Sequence, residues 1–143
     1  MAEHAGALVA QVAQTTADQM GRAGDLTVRA DDVRVPMLRD HLRQLVGELV
    51  ENALTFSKPG SPVSLDLEAR DGGSLLVVGD RGRGMTPEQA RNLEHYAPLR
   101  RHQEQPGLGL GLAIVRRVAE NHGGRLEIES EPAKGTTVRV YLP

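Results

Sequence analysis

Val77-Val78-Gly79-Asp80-Arg81-Gly82-Arg83-Gly84-Met85 joins an apolar strand to a turn that carries one carboxylate and two glycines at alternate positions. A carboxylate fixed at a strand end accepts a hydrogen bond from an exocyclic amine. Residues without a Cβ let the backbone turn tightly and come close to a flat ring such as adenine. Taken alone, the same stretch also reads as an ordinary strand-to-helix turn. Its context favours the first reading. Glu48-Leu49-Val50-Glu51-Asn52-Ala53 lies upstream and Gly107-Leu108-Gly109-Leu110-Gly111-Leu112 downstream, each at a helix boundary.

On the N-terminal side, Ala7-Leu8-Val9, Val12 and Met20 recur at helical spacing. Gly21 and Gly24 stop that helix before a short strand, Leu26-Thr27-Val28-Arg29. From Pro36, the residues Leu38, Leu42, Leu45, Val46, Leu49, Val50 and Leu54 trace an apolar stripe of helical period, ending near Phe56-Ser57-Lys58-Pro59-Gly60. His41 falls mid-helix in this reading. Val63, Leu65 and Leu67 alternate with polar residues, and Asp71-Gly72-Gly73 turns the chain into Leu75-Leu76-Val77-Val78, which predicts a hairpin. Beyond the quoted stretch, Thr86-Pro87-Glu88-Gln89 has the form of a helix start, and residues 94–106 read as a loop. Leu110 to Asn121 resumes a helix that His122-Gly123-Gly124 ends. Leu126 and Ile128, then Val138, Val140 and Leu142, mark two further strands. The expected fold is α+β, a two-layer α/β sandwich in which three helices cover one face of a mixed sheet of about five strands.

With 143 residues, 39% hydrophobic and 25% charged, the chain suits one globular domain spanning residues 1–143, of which residues 1–6 can be tag or linker. A formal charge of −2, one Phe and two Tyr argue against a nucleic-acid partner. The absence of cysteine excludes disulfides and thiolate metal sites. No apolar run approaches the roughly 20 residues of a membrane span. These features set the expectation of a cytoplasmic domain without membrane contact of its own, with a monomer in isolation as the default.

The three boxes in this order resemble the ATP-binding catalytic domain of sensor histidine kinases, in the superfamily that also holds gyrase, MutL and the heat-shock ATPase chaperones. The asparagine box is Glu48-Leu-Val-Glu-Asn52-Ala, and the first glycine box is Asp80-Arg-Gly82-Arg-Gly84. The second glycine box is Gly107-Leu-Gly109-Leu-Gly111-Leu-Ala-Ile-Val. The tail, from Asn121-His122-Gly123-Gly124-Arg125 through Gly135-Thr136-Thr137, is similar to the kinase branch.

The resemblance implies ATP and Mg²⁺ as ligands. Asn52 would be the metal ligand, since its neutral amide oxygen suits a hard cation. Glu48, one helical turn earlier on the same face, would polarise the attacking group, either water or a histidine nitrogen. Asp80 would read the adenine amine, with Gly82, Gly84 and Met85 shaping the pocket. Gly107, Leu108, Gly109, Leu110 and Gly111 lead into a helix N-terminus whose N–H groups and dipole suit the phosphates. Arg100, Arg101 and Thr137 complete the expected nucleotide contacts. The partners implied are a phosphoacceptor-histidine and dimerisation domain of the parent kinase, with a response regulator downstream.

Three departures from the family pattern stand out. Thr55 occupies a position where relatives carry a lysine or arginine, leaving Lys58, Arg100 or Arg101 to compensate. Leu108 stands where a threonine or serine is frequent, and the stretch between Gly84 and Gly107 is short. None of His4, His41, His95, His102 or His122 has the sequence context of a phosphoacceptor, so the expected activity is phosphoryl transfer to a histidine elsewhere. Two alternatives stay open: a stand-alone ATPase with Glu48 as base, and a nucleotide-sensing module with a degenerate site.

Overall fold

Alternating apolar residues put Val63, Leu65 and Leu67 of β2 (Val63–Arg70) opposite Asp80, Val78 and Leu76 of β3 (Gly73–Asp80), so that all six share one face of an antiparallel hairpin. The turn between them needs two left-handed residues, and Asp71 (φ 52°) with Gly72 (φ 81°) supplies both, as a twisted two-residue hairpin requires. In the computed structural model, which describes residues 4–82 and 108–143, this hairpin is the centre of a five-stranded sheet. β1 (Leu26–Ala30) runs parallel to β2, while β5 (Gly135–Leu142) pairs antiparallel with β3, and β4 (Arg125–Glu131) antiparallel with β5. The order is β1-β2-β3-β5-β4, a mixed sheet.

Among the described residues, three helices pack on the apolar face: α1 (Ala5–Gln19), α2 (Arg39–Thr55) and α3 (Leu108–Asn121). α2 buries Leu42, Leu45, Val46, Leu49, Val50, Ala53 and Leu54, the i, i+3, i+4 pattern of a helix with one face in the core. Leu8, Val9 and Ala13 of α1, and Leu112, Val115 and Ala119 of α3, join the same cluster as Leu65, Leu76, Val138 and Val140 of the sheet. The two-layer sandwich expected from the sequence is the architecture found.

Two details differ from the sequence reading. The stripe from Pro36 is not all helix: α2 begins at Arg39 with Leu38 at its N-cap, and Val35 and Met37 enter the core from non-helical backbone. The stripe overran the boundary through Pro36 and Leu38, and Leu38 is an exposed apolar side chain that matches the helical spacing without facing the core. His41 consequently lies in the first turn of α2, exposed, rather than mid-helix. The helix expected at Thr86 and the loop at 94–106 lie outside the described residues.

One buried cation holds the N-terminal unit to the rest. Arg22, 7% exposed, donates to the carbonyls of Leu54 (2.8 Å), Ser57 (3.1 Å) and Lys58 (2.9 Å), and to Ser57 Oγ (3.1 Å). Its Nε pairs with Asp25, whose carboxylate also accepts the Gly60 N–H (2.9 Å). These bonds, the Arg22 bond first, hold the Asp25 carboxyl below the ordinary aspartate range. The accepting carbonyls are the last ones of α2 and its following loop, groups a helix end cannot satisfy internally. Arg22→Met should therefore leave several buried acceptors unpaired and cost roughly 3 kcal/mol or more, against the 1–3 kcal/mol typical of one such group. Chemical denaturation of parent and variant measures it.

Candidate functional site

α2 and α3 run antiparallel, and their facing ends bring two of the boxes together. A Cβ added at Gly111 would sit 3.2 Å from Glu48 Oε2, so the first turns of α3 rest directly on the asparagine-box helix. One turn after Glu48, Asn52 is 8% exposed, and its Oδ1 is buried without a hydrogen-bond partner. A buried amide oxygen left unpaired costs stability and calls for a reason. Glu48 is partly buried, and that burial, reinforced by the neighbouring Glu51 charge, pushes its carboxyl above the ordinary glutamate range.

The third box arrives from the sheet. Asp80 ends β3 on the helix-covered face, paired with Val63 on one side and Thr136 on the other. Its Oδ1 accepts the Gly82 N–H at 2.7 Å, and the Thr136 N–H also bonds the carboxylate. Burial raises the Asp80 carboxyl above the ordinary aspartate range, and the two backbone donors pull against that rise. Gly82 lies against the carbonyl of Phe56, the C-cap of α2, where any Cβ would collide with Phe56 O and Asp80 Oδ1. The end of β3 is thus locked to the end of the helix that carries Glu48 and Asn52.

Glu48 and Gly111 meet where α2 faces α3, while Asp80 and Gly82 meet the C-terminal end of α2, one turn past Asn52. Leu108, Gly109 and Leu110 form the opening turn of α3. Arg83, Gly84, Met85, Arg100, Arg101 and Gly107 lie outside the described residues. Thr137 is on the other face of the sheet: it pairs with Gly79, and a Cβ at Gly79 would point to Ser64 Oγ (3.4 Å) and Thr137 Oγ1 (3.8 Å). The residue on Asp80's side is Thr136, buried, its hydroxyl 2.8 Å from Ser130 Oγ. Extending the Val138, Val140, Leu142 alternation backwards finds Thr136. Thr55 and Lys58 are both exposed. A separate recess at the opposite end of the sheet is lined by Arg70, Ser74, Gly124, Arg125 and Tyr141.

Residues 37–143 match the family model described as "Histidine kinase-, DNA gyrase B-, and HSP90-like ATPase". The chain belongs to this family. The histidine protein kinase DivJ of Caulobacter vibrioides is 41% identical over 122 residues, which is 84% of this chain and 19% of that protein. The chain therefore spans about a fifth of that relative's length, 19%. The fold is that of histidine kinase catalytic domains: the mycobacterial sensor histidine kinase MprB superposes with a TM-score of 0.79 at 29% identity, covering 95% of this chain and 93% of that one. ShkA, solved full-length in complex with AMPPNP, matches with a TM-score of 0.72 at 28% identity, covering 96% of this chain and 29% of that one. Among the described residues no helix is long and apolar enough to cross a membrane.

The raised Glu48 carboxyl has a pH signature. A carboxyl whose folded-state pKa lies above its unfolded value stabilises the fold while protonated, and that contribution is lost as pH rises through the folded pKa. At pH 8 the ionised Glu48 is a burden on the ligand-free fold, so Glu48→Gln should raise the thermal midpoint. The advantage should shrink as pH falls and vanish near the ordinary glutamate pKa of about 4.3. Thermal melts of both proteins across that range check the direction.

Proposed function

We infer that this chain binds Mg²⁺-ATP and presents its γ-phosphoryl group to a histidine on a separate dimerisation domain, in a two-component relay that ends on a response regulator. The observation that carries the reading is Asn52 Oδ1: buried, unbonded, and one helical turn from a half-buried acid. An oxygen donor in that state fits a magnesium ion, which prefers oxygen ligands and keeps several waters. When bound, the ion would neutralise charge on the phosphate oxygens. Kinship with histidine kinases and the AMPPNP bound by ShkA support the nucleotide assignment.

The remaining work falls to this chain's own groups. The Asp80 carboxylate, pinned by two backbone N–H donors, keeps lone pairs for the exocyclic amine of adenine. Gly82 keeps that wall flat. The N–H groups and positive dipole end of α3's opening turn, Leu108, Gly109 and Leu110, suit the phosphate chain. Glu48, held near Gly111 and raised in pKa by burial, is placed to accept or orient the proton of the attacking nitrogen. Phosphoryl transfer asks mainly for positioning and charge neutralisation, and these are what such groups provide. Thr136, on Asp80's face, replaces Thr137 in the proposed nucleotide set, and Arg100, Arg101, Gly84, Met85 and Gly107 remain in it. The same Glu48 geometry also suits activation of water, so phosphate release in the absence of any partner separates a stand-alone ATPase from a kinase domain.

Calorimetry with ATP, with and without Mg²⁺, tests the reading on three proteins. Asp80→Asn should weaken ATP binding by about 10- to 100-fold under both conditions, the scale of one lost hydrogen bond to a charged acceptor. Asn52→Ala should abolish the gain that Mg²⁺ confers on the parent. Unchanged ATP affinity in Asp80→Asn would remove the adenine assignment.

A further inference from the structure

At their other ends α2 and α3 meet again, through two imidazoles. His41, in the first turn of α2, has its Nδ1 3.4 Å from Nε2 of His122, which directly follows α3. The ring centroids are 5.3 Å apart and the planes cross at 71°. His122 also bonds through Nδ1 to the Val118 carbonyl at 2.8 Å. A carbonyl only accepts, so Nδ1 carries the hydrogen and the neutral ring turns the Nε2 lone pair toward His41. Fixing a ligand imidazole through its second nitrogen on a backbone carbonyl is the outer-partner arrangement that metal-binding histidines use.

We propose that His41 and His122 form a two-histidine site for a late first-row divalent cation such as Zn²⁺, Ni²⁺ or Cu²⁺. Two nitrogens bound tetrahedrally at 2.0–2.1 Å to zinc lie about 3.3 Å apart, so the spacing of this pair already fits. Imidazole donors select these ions, whereas Mg²⁺ takes oxygen donors, so the pair is chemically distinct from Asn52. His41 is exposed, which lets its ring turn until both lone pairs converge, and leaves room for water. Among the described residues no third His, Cys, Asp or Glu joins the two, and water completes the coordination. The nearby charges are matched: Asp40 pairs with Arg43 at 2.8 Å, and Glu120 with Arg116 at 3.1 Å. A bound ion would tie the start of α2 to the end of α3, at the ends opposite Glu48 and Gly111.

The competing account is a plain hydrogen bond from His41 Nδ1–H to His122 Nε2, with no affinity for metal. Titration of this chain with ZnCl₂ alone, without nucleotide, followed by imidazole ¹⁵N NMR and thermal melting, separates the two. The site requires that Zn²⁺ move the His41 Nδ1 and His122 Nε2 signals together and raise the thermal midpoint, that EDTA reverse both, and that Mg²⁺ do neither. In His41→Gln, an exposed position where folding is retained, the His122 response should weaken by about tenfold or more, the scale on which losing even an outer partner weakens a metal site. The proposal is overturned if the two signals do not move together, if His41→Gln leaves the His122 response intact, or if Zn²⁺ acts instead at His4 and Asp32, which pair at 2.9 Å. ATP affinity, read separately, bears on Asp80 and Asn52 and not on this pair.

Discussion

The contact between Gly82 and the carbonyl of Phe56 is the constraint on which the proposed site depends. β3 and α2 belong to different layers, and their ends meet only because position 82 carries no side chain. That approach sets Asp80, at the last position of β3, beside the helix that presents Glu48 and Asn52. The opening of α3 then closes against Glu48 by the same device, since Gly111 leaves just enough room for the carboxylate. Two of the glycines that mark the boxes in the sequence are thus points where elements touch, and the proposed cleft would be a product of those contacts.

The proposed site works against the stability of the fold. Burial raises both the Glu48 and the Asp80 carboxyl above their ordinary ranges, so the surroundings disfavour the charged form of each, and Asn52 Oδ1 is left without a partner. Such strain fits the proposed nucleotide site, where a ligand would supply the missing partners. The Arg22 cluster is the opposite case. There a cation meets four oxygen acceptors within 3.1 Å and one carboxylate, and the region it ties down is the end of α2 that Phe56 belongs to.

Much of this was legible in the sequence where a regular period was at work. The alternation through Val63, Leu65 and Leu67, the Asp71-Gly72 turn and the stripe of α2 each report a local rule, and the sheet and helices follow them. The three boxes marked the family, and the proposed site with it, because glycine and paired polar residues are costly inside regular elements without cause. What escaped was either a matter of parity or of distance. Thr136 and Thr137 differ by one step of a strand, which moves a side chain to the other face. Arg22 acts on backbone carbonyls of residues 54 to 58, which have no signature in the sequence. His41 and His122 are 81 positions apart, and nothing but the antiparallel pairing of α2 and α3 unites them.

Whether the boxes act as one cleft is tested most directly by backbone NMR of this chain titrated with Mg²⁺ and a non-hydrolysable ATP analogue. The account predicts that the perturbed amides concentrate at Glu48, Asn52, Asp80, Gly82, Gly111 and Thr136, with Arg70, Ser74 and Arg125 at the far end of the sheet unmoved. Perturbation centred on that far recess, or split between surfaces that do not adjoin, would contradict it.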